Sequence, residues 1–204
     1  AGAVIGALAA LVAWMGLILG LPSLAIGLLV VGTTAWVTGA MHYDGLADSL
    51  DGLWGGWNPK QRLDIMKDSH IGVYGVVGLT CILALQATLY GQLAAQSLWP
   101  ILGVMALSRA MMVPLMTALP NARGKGLSAS VGRPAPQTAS LALALGAAVA
   151  ALSGAWPALI GAPLGAWVVA AIAKRKIGGQ TGDILGACQQ CAETCALICL
   201  VAFL

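Results

Sequence analysis

Five of the seven acidic residues in this 204-residue chain lie between Met41 and Gly75: Asp44, Asp48, Asp51, Asp64 and Asp68. On a helix the offsets 0, +4 and +7 bring the first three to one face, and Asp64 and Asp68 share a face one turn apart. Like charges this close repel, so the rows need something positive among them. Carboxylates are hard oxygen donors, and a cluster of Asp without Cys or His favours Mg²⁺, Mn²⁺ or Ca²⁺ over zinc. Two rows on facing helices could hold two ions and clamp the attacking and leaving oxygens of an in-line displacement at phosphorus. Lys60, Arg62 and Lys67 lie beside the cluster, and Arg123 and Lys125 follow in a later connection; all suit phosphate oxygens. A solvated interfacial segment is the bland alternative, but the other acids of the chain are only Asp183 and Glu193.

The elements that must position these residues are membrane helices. The chain is 59% hydrophobic and 8% charged, with mean hydropathy +0.90, against about 25% charged residues in a soluble domain. No nucleic-acid-binding motif or basic stripe appears, and the first apolar run does not read as a signal peptide. Runs of about 20 apolar residues can cross a bilayer. Seven are visible: Ala1 to Leu21, Leu24 to Met41, Ile71 to Ala95, Leu98 to Leu119, Thr138 to Ser153, Ala155 to Ala173 and Thr181 to Leu204. The expected fold is all-α, a polytopic transmembrane helical bundle of about seven spans in one domain over residues 1–204, with 42–70 as its cytoplasmic active-site segment. Nine of the ten Lys and Arg residues fall in the connections after spans two, four and six, which the positive-inside bias makes cytoplasmic. A bacterial or archaeal cytoplasmic (inner) membrane is the expected location. The oligomeric state stays open, a homo-oligomer included.

Arg109 is the one basic residue inside a span, where an ionised group needs a partner or a wet cavity. It is expected to reach phosphate or a carboxylate of the cluster, with a structural bond to backbone carbonyls as the alternative. Asp183 starts the last span, where a carboxylate caps exposed amides. Glu193 lies deeper, its counter-charge unidentified. His42 and His70 bracket the acidic stretch and suit interfacial hydrogen bonding. Residues 121–133, with Gly124, Gly126 and Gly132, read as a flexible basic loop. Cys188, Cys191, Cys195 and Cys199 form a helical stripe about 16 Å long, too extended for one four-thiolate site, and read as packing residues.

Asp48-Ser-Leu-Asp51-Gly52 followed by Asp64-Ile-Met-Lys-Asp68 looks like the paired-Asp signature of the CDP-alcohol phosphotransferases. It departs from that signature at Gly55-Gly56, where Ala-Arg is expected, and in its shorter spacer. The fuller string His42-Tyr-Asp-Gly-Leu-Ala-Asp-Ser-Leu-Asp-Gly52, with Ile65-Met-Lys-Asp-Ser-His-Ile-Gly-Val-Tyr-Gly75, more closely resembles the cobalamin synthase family, adenosylcobinamide-GDP ribazoletransferase. A second match runs from Gly178 to Ala187, with Glu193 beyond it. The resemblance covers essentially the whole chain and implies a further N-terminal stretch. It implies transfer of the cobinamide-phosphate moiety of adenosylcobinamide-GDP to alpha-ribazole or its 5′-phosphate, with release of GMP. It also implies that Asp48, Asp51, Asp64 and Asp68 bind two Mg²⁺ ions, or Mn²⁺, with Asp44 as an extra ligand. Asp68 would be the general base, which requires loose coordination. Lys67, Arg109, Arg123, Lys125 and Asp183 would contact substrate. A lipid-making CDP-alcohol phosphotransferase is one alternative and a divalent cation transporter another, though the acids lie in a connection and not at the bilayer midplane.

Overall fold

The computed structural model describes residues 1–124 and 126–203, with Leu127 by its backbone alone; Lys125 lies outside the described residues. The helices are α1 (Gly2–Ile18), α2 (Ser23–Val37), α3 (Met41–Gly55), α4 (Pro59–Ile65), α5 (Val73–Gln96), α6 (Trp99–Ala110), α7 (Met112–Ala118), α8 (Leu127–Val131), α9 (Pro136–Leu152), α10 (Ala158–Ile177) and α11 (Gly182–Ala202). No strand occurs among the described residues beyond one parallel bridge, Asn121 with Gln180. The helical membrane bundle is as expected. Seven spans are not established by length and apolarity. Four helices suffice outright (α5, α10, α11, and α6 with α7 as Trp99–Ala118), and α2 with α3 would add a fifth only as a pair bent by 92°. The apolar α1 and α9 have 17 residues each, about 26 Å of helix against a hydrocarbon core of about 30 Å.

Local chemistry sets the breaks. Pro114 has no amide to offer Ala110, and the ladder opens into a turn at Met111 between α6 and α7. At the α2–α3 corner Gly39 (φ 61°) and Ala40 (φ 56°) are both left-handed, a costly conformation for alanine. That corner takes the chain out of the line of α2, so we read α3 as the start of the connection and not as part of the span. Asn58 caps α4 by accepting from Gln61 N (3.0 Å), Pro59 fills its first turn, and Gln61 Oε1 accepts from Trp57 N (3.0 Å).

Lipid tails are as apolar as leucine, so the helices associate through close backbone contact and polar side chains. A Cβ on Gly27 (α2) would run into the Ala87 carbonyl of α5, and Cβ atoms on Gly161 and Gly165 (α10) into the Cys195 and Cys191 carbonyls of α11. Cys188 is buried against Met111, while Cys191, Cys195 and Cys199 are half-buried and Cys81 is exposed. Helix α11 is the most enclosed span, 72% buried against 28–44% for the others. It therefore serves as the axis of the bundle.

The Gly27 contact is testable by thermal unfolding in detergent. Gly27→Leu is expected to lose at least about 1–3 kcal/mol, whereas Gly32→Leu, on an open face of the same helix, leaves the midpoint unchanged.

Candidate active site

Glycines let α3 lie against the start of α11. A Cβ on Gly45 would sit 2.9 Å from the Asp183 carbonyl, and one on Gly186 would sit 3.0 Å from the His42 carbonyl. The two separated sequence motifs thus meet in space. Three further contacts fix α3. Gly72 N and Gly75 N donate to Asp51 Oδ2 and Oδ1 (2.7 and 2.9 Å), so the buried Asp51 carboxylate caps α5 from outside that helix. Lys176 Nζ donates to Leu53 O (2.7 Å) and stands 4.2 Å over the Trp54 ring, a cation at a helix C-terminus. Arg62 donates from Nε to Gly56 O (3.0 Å) and from Nη1 to Lys176 O (2.8 Å). Arg62, a phosphate candidate by sequence, is therefore engaged by backbone.

Asp44 is exposed on the first turn of α3 and Asp48 is half-buried one turn on. Burial, then the charges of Asp44 and Asp183, push the Asp48 carboxyl up to about 7, with Arg123 as the opposing cation. Thr181 caps α11 by accepting from Ile184 N (3.3 Å) and donates to Asp183 Oδ2 (3.3 Å). Arg123 Nη2 lies 2.8 Å from Asp183 Oδ2. The loop carrying Arg123 is tied down: Asn121 Oδ1 accepts from Arg123 N and Gly124 N (2.9 and 2.7 Å), and Ala122 N donates to Gln180 O (2.8 Å). The described part of this stretch is thus more constrained than its glycines suggest.

Asp51 also lines a cavity of about 410 Å³ with Asp68 and His70. Asp68 Oδ1 lies 2.7 Å from His70 Nδ1 and accepts from His70 N (3.2 Å). These bonds hold the Asp68 carboxyl below its usual range and raise the imidazole above its own. Asp64 and Lys67 are exposed. The five carboxylates therefore divide: Asp44 and Asp48 gather with Asp183, Asp51 and Asp68 share a cavity, and Asp64 stands on α4. Among the described residues no three His, Cys, Asp or Glu side chains converge closely enough to hold a metal ion. The charges that act on Asp48 are those of Asp44, Asp183 and Asp51 against the one guanidinium of Arg123.

A family model described as cobalamin-5-phosphate synthase matches residues 1–201. The chain belongs to that family. Among its relatives, proteins of Brucella ovis, Brucella canis and Brucella suis, each called adenosylcobinamide-GDP ribazoletransferase, are 41% identical over 214 residues, covering 98% of this chain and 82% of theirs. No solved structure matches.

Inside this cobalamin synthase family member, Glu193 is the hub of a buried polar network. Arg109 Nη1 donates to Glu193 Oε2 (3.2 Å) and to Met105 O (3.1 Å). Gln189 Nε2 (2.6 Å) and Ser108 Oγ (3.2 Å) donate to the same carboxylate oxygen, and Tyr90 OH to Oε1 (2.9 Å). Gln190, Gln86 and Thr194 extend the chain, with Gln86 Nε2 2.9 Å from Gln190 Oε1 and 3.0 Å from Thr194 Oγ1. The partner of Arg109 is therefore Glu193, not a carboxylate of the α3 row. The sequence signal for these residues was their polarity: Gln86, Tyr90 and Ser108 each interrupt an apolar span, and Gln189 stands one turn before Glu193.

Removing one member of a buried ion pair strands the other. Glu193→Leu is expected to cost about 3–5 kcal/mol in thermal unfolding, and Arg109→Met/Glu193→Leu together less than the two singles summed. Additive losses would show that the pair is uncoupled.

Proposed function

We propose that this membrane protein is a transferase that joins alpha-ribazole, or its 5′-phosphate, to the cobinamide phosphate of adenosylcobinamide-GDP and releases GMP. The observation that carries this is the contact of α3 with the first turn of α11, where Gly45 lies against Asp183. It gathers carboxylates and the Arg123 cation at one end of the bundle, the charge pattern that phosphoryl transfer needs. The names of the relatives supply the substrates. By the positive-inside bias this end faces the cytoplasm.

In the proposed reaction the ribazole hydroxyl oxygen forms a bond to the phosphorus on the cobinamide arm. The bond from that phosphorus to the bridging oxygen of GMP breaks. Asp44, Asp48 and Asp183, with Asp51, Asp64 and Asp68 further along, would hold divalent cations such as Mg²⁺, which neutralise the pyrophosphate charge. Arg123 and Lys67, with Lys125 from the same loop as Arg123, attract its oxygens. The hydroxyl proton passes to His70. A carboxylate held below its usual range is a weak base, so Asp68 acts by orienting the imidazole and raising its proton affinity.

Purified protein in detergent with Mg²⁺, adenosylcobinamide-GDP and ribazole is expected to release GMP. Asp48→Asn should lower the rate at least about 100-fold. No release from the wild type, with divalent-ion flux in proteoliposomes abolished by Asp48→Asn, would make the protein a transporter.

The pH profile tests the His70 pair. His70 accepts a proton only when neutral, so the rate falls as pH drops through its raised pKa. Asp68→Asn removes the pull that raises it, returning the imidazole toward about 6.5, and the acid limb of GMP release moves to lower pH. A limb that stays in place in Asp68→Asn and in His70→Gln assigns the proton elsewhere.

A further inference from the structure

We infer that the cavity between α4 and the end of α10 holds the phosphodiester of an anionic phospholipid from the cytoplasmic leaflet. The cavity has a volume of about 480 Å³ and is lined by Trp54, Arg62, Ile172, Arg175 and Lys176. Cations from both helices thus meet with no carboxylate in the lining. The charges that act on Lys176 are those of Arg62 and Arg175, both of its own sign, and no ion pair among the described residues involves any of the three. Like charges brought together repel, so the arrangement calls for an anion.

Accessible donors remain to bind one. Arg62 spends Nε and Nη1 on the carbonyls of Gly56 and Lys176, which leaves Nη2 without a partner, and that nitrogen is not among the buried unpaired atoms. Lys176 Nζ gives one bond to Leu53 O, and an ammonium has three to give. Arg175 is exposed and makes no hydrogen bond among the described residues, so its whole guanidinium is free.

The surface beside the cavity says which anion. Leu164, Val168, Ala171 and Arg175 follow one another at helical steps, so they share one face of α10, and all are exposed. From Arg175 back to Leu164 is about 16 Å along the axis, half of the roughly 30 Å hydrocarbon core. An apolar stripe as deep as one leaflet therefore ends on the cationic cavity, and an acyl chain can lie along it while its phosphate reaches Arg175. Trp54 in the lining and Trp57, 88% exposed in the turn before α4, suit the headgroup level. A nucleotide or inorganic phosphate would leave the stripe unused. The positive-inside bias puts this end of α10 in the cytoplasmic leaflet.

The test is equilibrium binding of labelled phosphatidylglycerol to the full chain, in detergent micelles that hold an excess of phosphatidylcholine. Binding is expected to saturate, and Arg175→Gln should weaken it at least about 10-fold, the loss of a charge-assisted bond. Lys174→Gln, which removes the same charge from the adjacent exposed position outside the lining, should bind as the wild type does. Ala171→Glu, one turn back on the exposed face, repeats the test should Arg175→Gln fail to fold. Wild-type binding that does not saturate, or binding unchanged in the folded variants of Arg175 or Ala171, overturns the assignment. An equal loss in Lys174→Gln also overturns it, since the lipid would then answer to the general charge of this end. Displacement of the label by GMP or inorganic phosphate as readily as by unlabelled phosphatidylglycerol would give the cavity to a soluble anion and sink the lipid reading.

Discussion

Backbone-to-backbone proximity between α3 and α11 is the constraint on which the basic end of this molecule depends. Side chains at Gly45 or Gly186 would hold the helices apart, and the carboxylates of α3 would lose their neighbours Asp183 and Arg123. The approach is electrostatically unfavourable, because it sets acids beside acids. What holds it is charge used elsewhere on α3: Asp51 on the amides of α5, Lys176 on the last carbonyls of α3, and Arg62 bridging the following turn to the end of α10. None of these bonds needs an ion or a substrate, so the frame is organised by the chain itself.

The interior follows the same logic in a drier setting. Hydrophobic driving force between helices is weak in lipid, so α5, α6 and α11 meet through glycines, alanines and the polar groups around Glu193. A carboxylate with four donors is a demanding centre, since each donor must come from the right turn of the right helix. Tyr90 of α5, Ser108 and Arg109 of α6 and Gln189 of α11 meet that demand. The network therefore sets the register of three helices and fixes the guanidinium of Arg109.

Much of this was legible in the sequence. The apolar runs marked the bundle and the two motifs marked the family, and the concentration of acid between Asp44 and Asp68 drew attention to the candidate site. Three things were not. Asp51 reads like any other carboxylate of its row, and only the fold shows that the glycines at 72 and 75 claim both its oxygens. Arg109 and Glu193 are 84 residues apart, and the spacing of neither reveals the other. At the corner Gly39 is the one residue type that hints at a break, and neither it nor Ala40 announces a turn of 92°. In each case the missing information is tertiary: which backbone amide, which facing helix, which direction.

The Asp51 cap carries a thermodynamic consequence. A carboxylate shared between two helices cannot change its allegiance without both noticing. Any cation that drew Asp51 toward the rest of the row would have to compete with the amides of Gly72 and Gly75, and its binding would be linked to the firmness of the α3–α5 joint by the same free energy in both directions. The first turn of α5 would thus oppose any such loading, and it lines the cavity that holds Asp68 and His70.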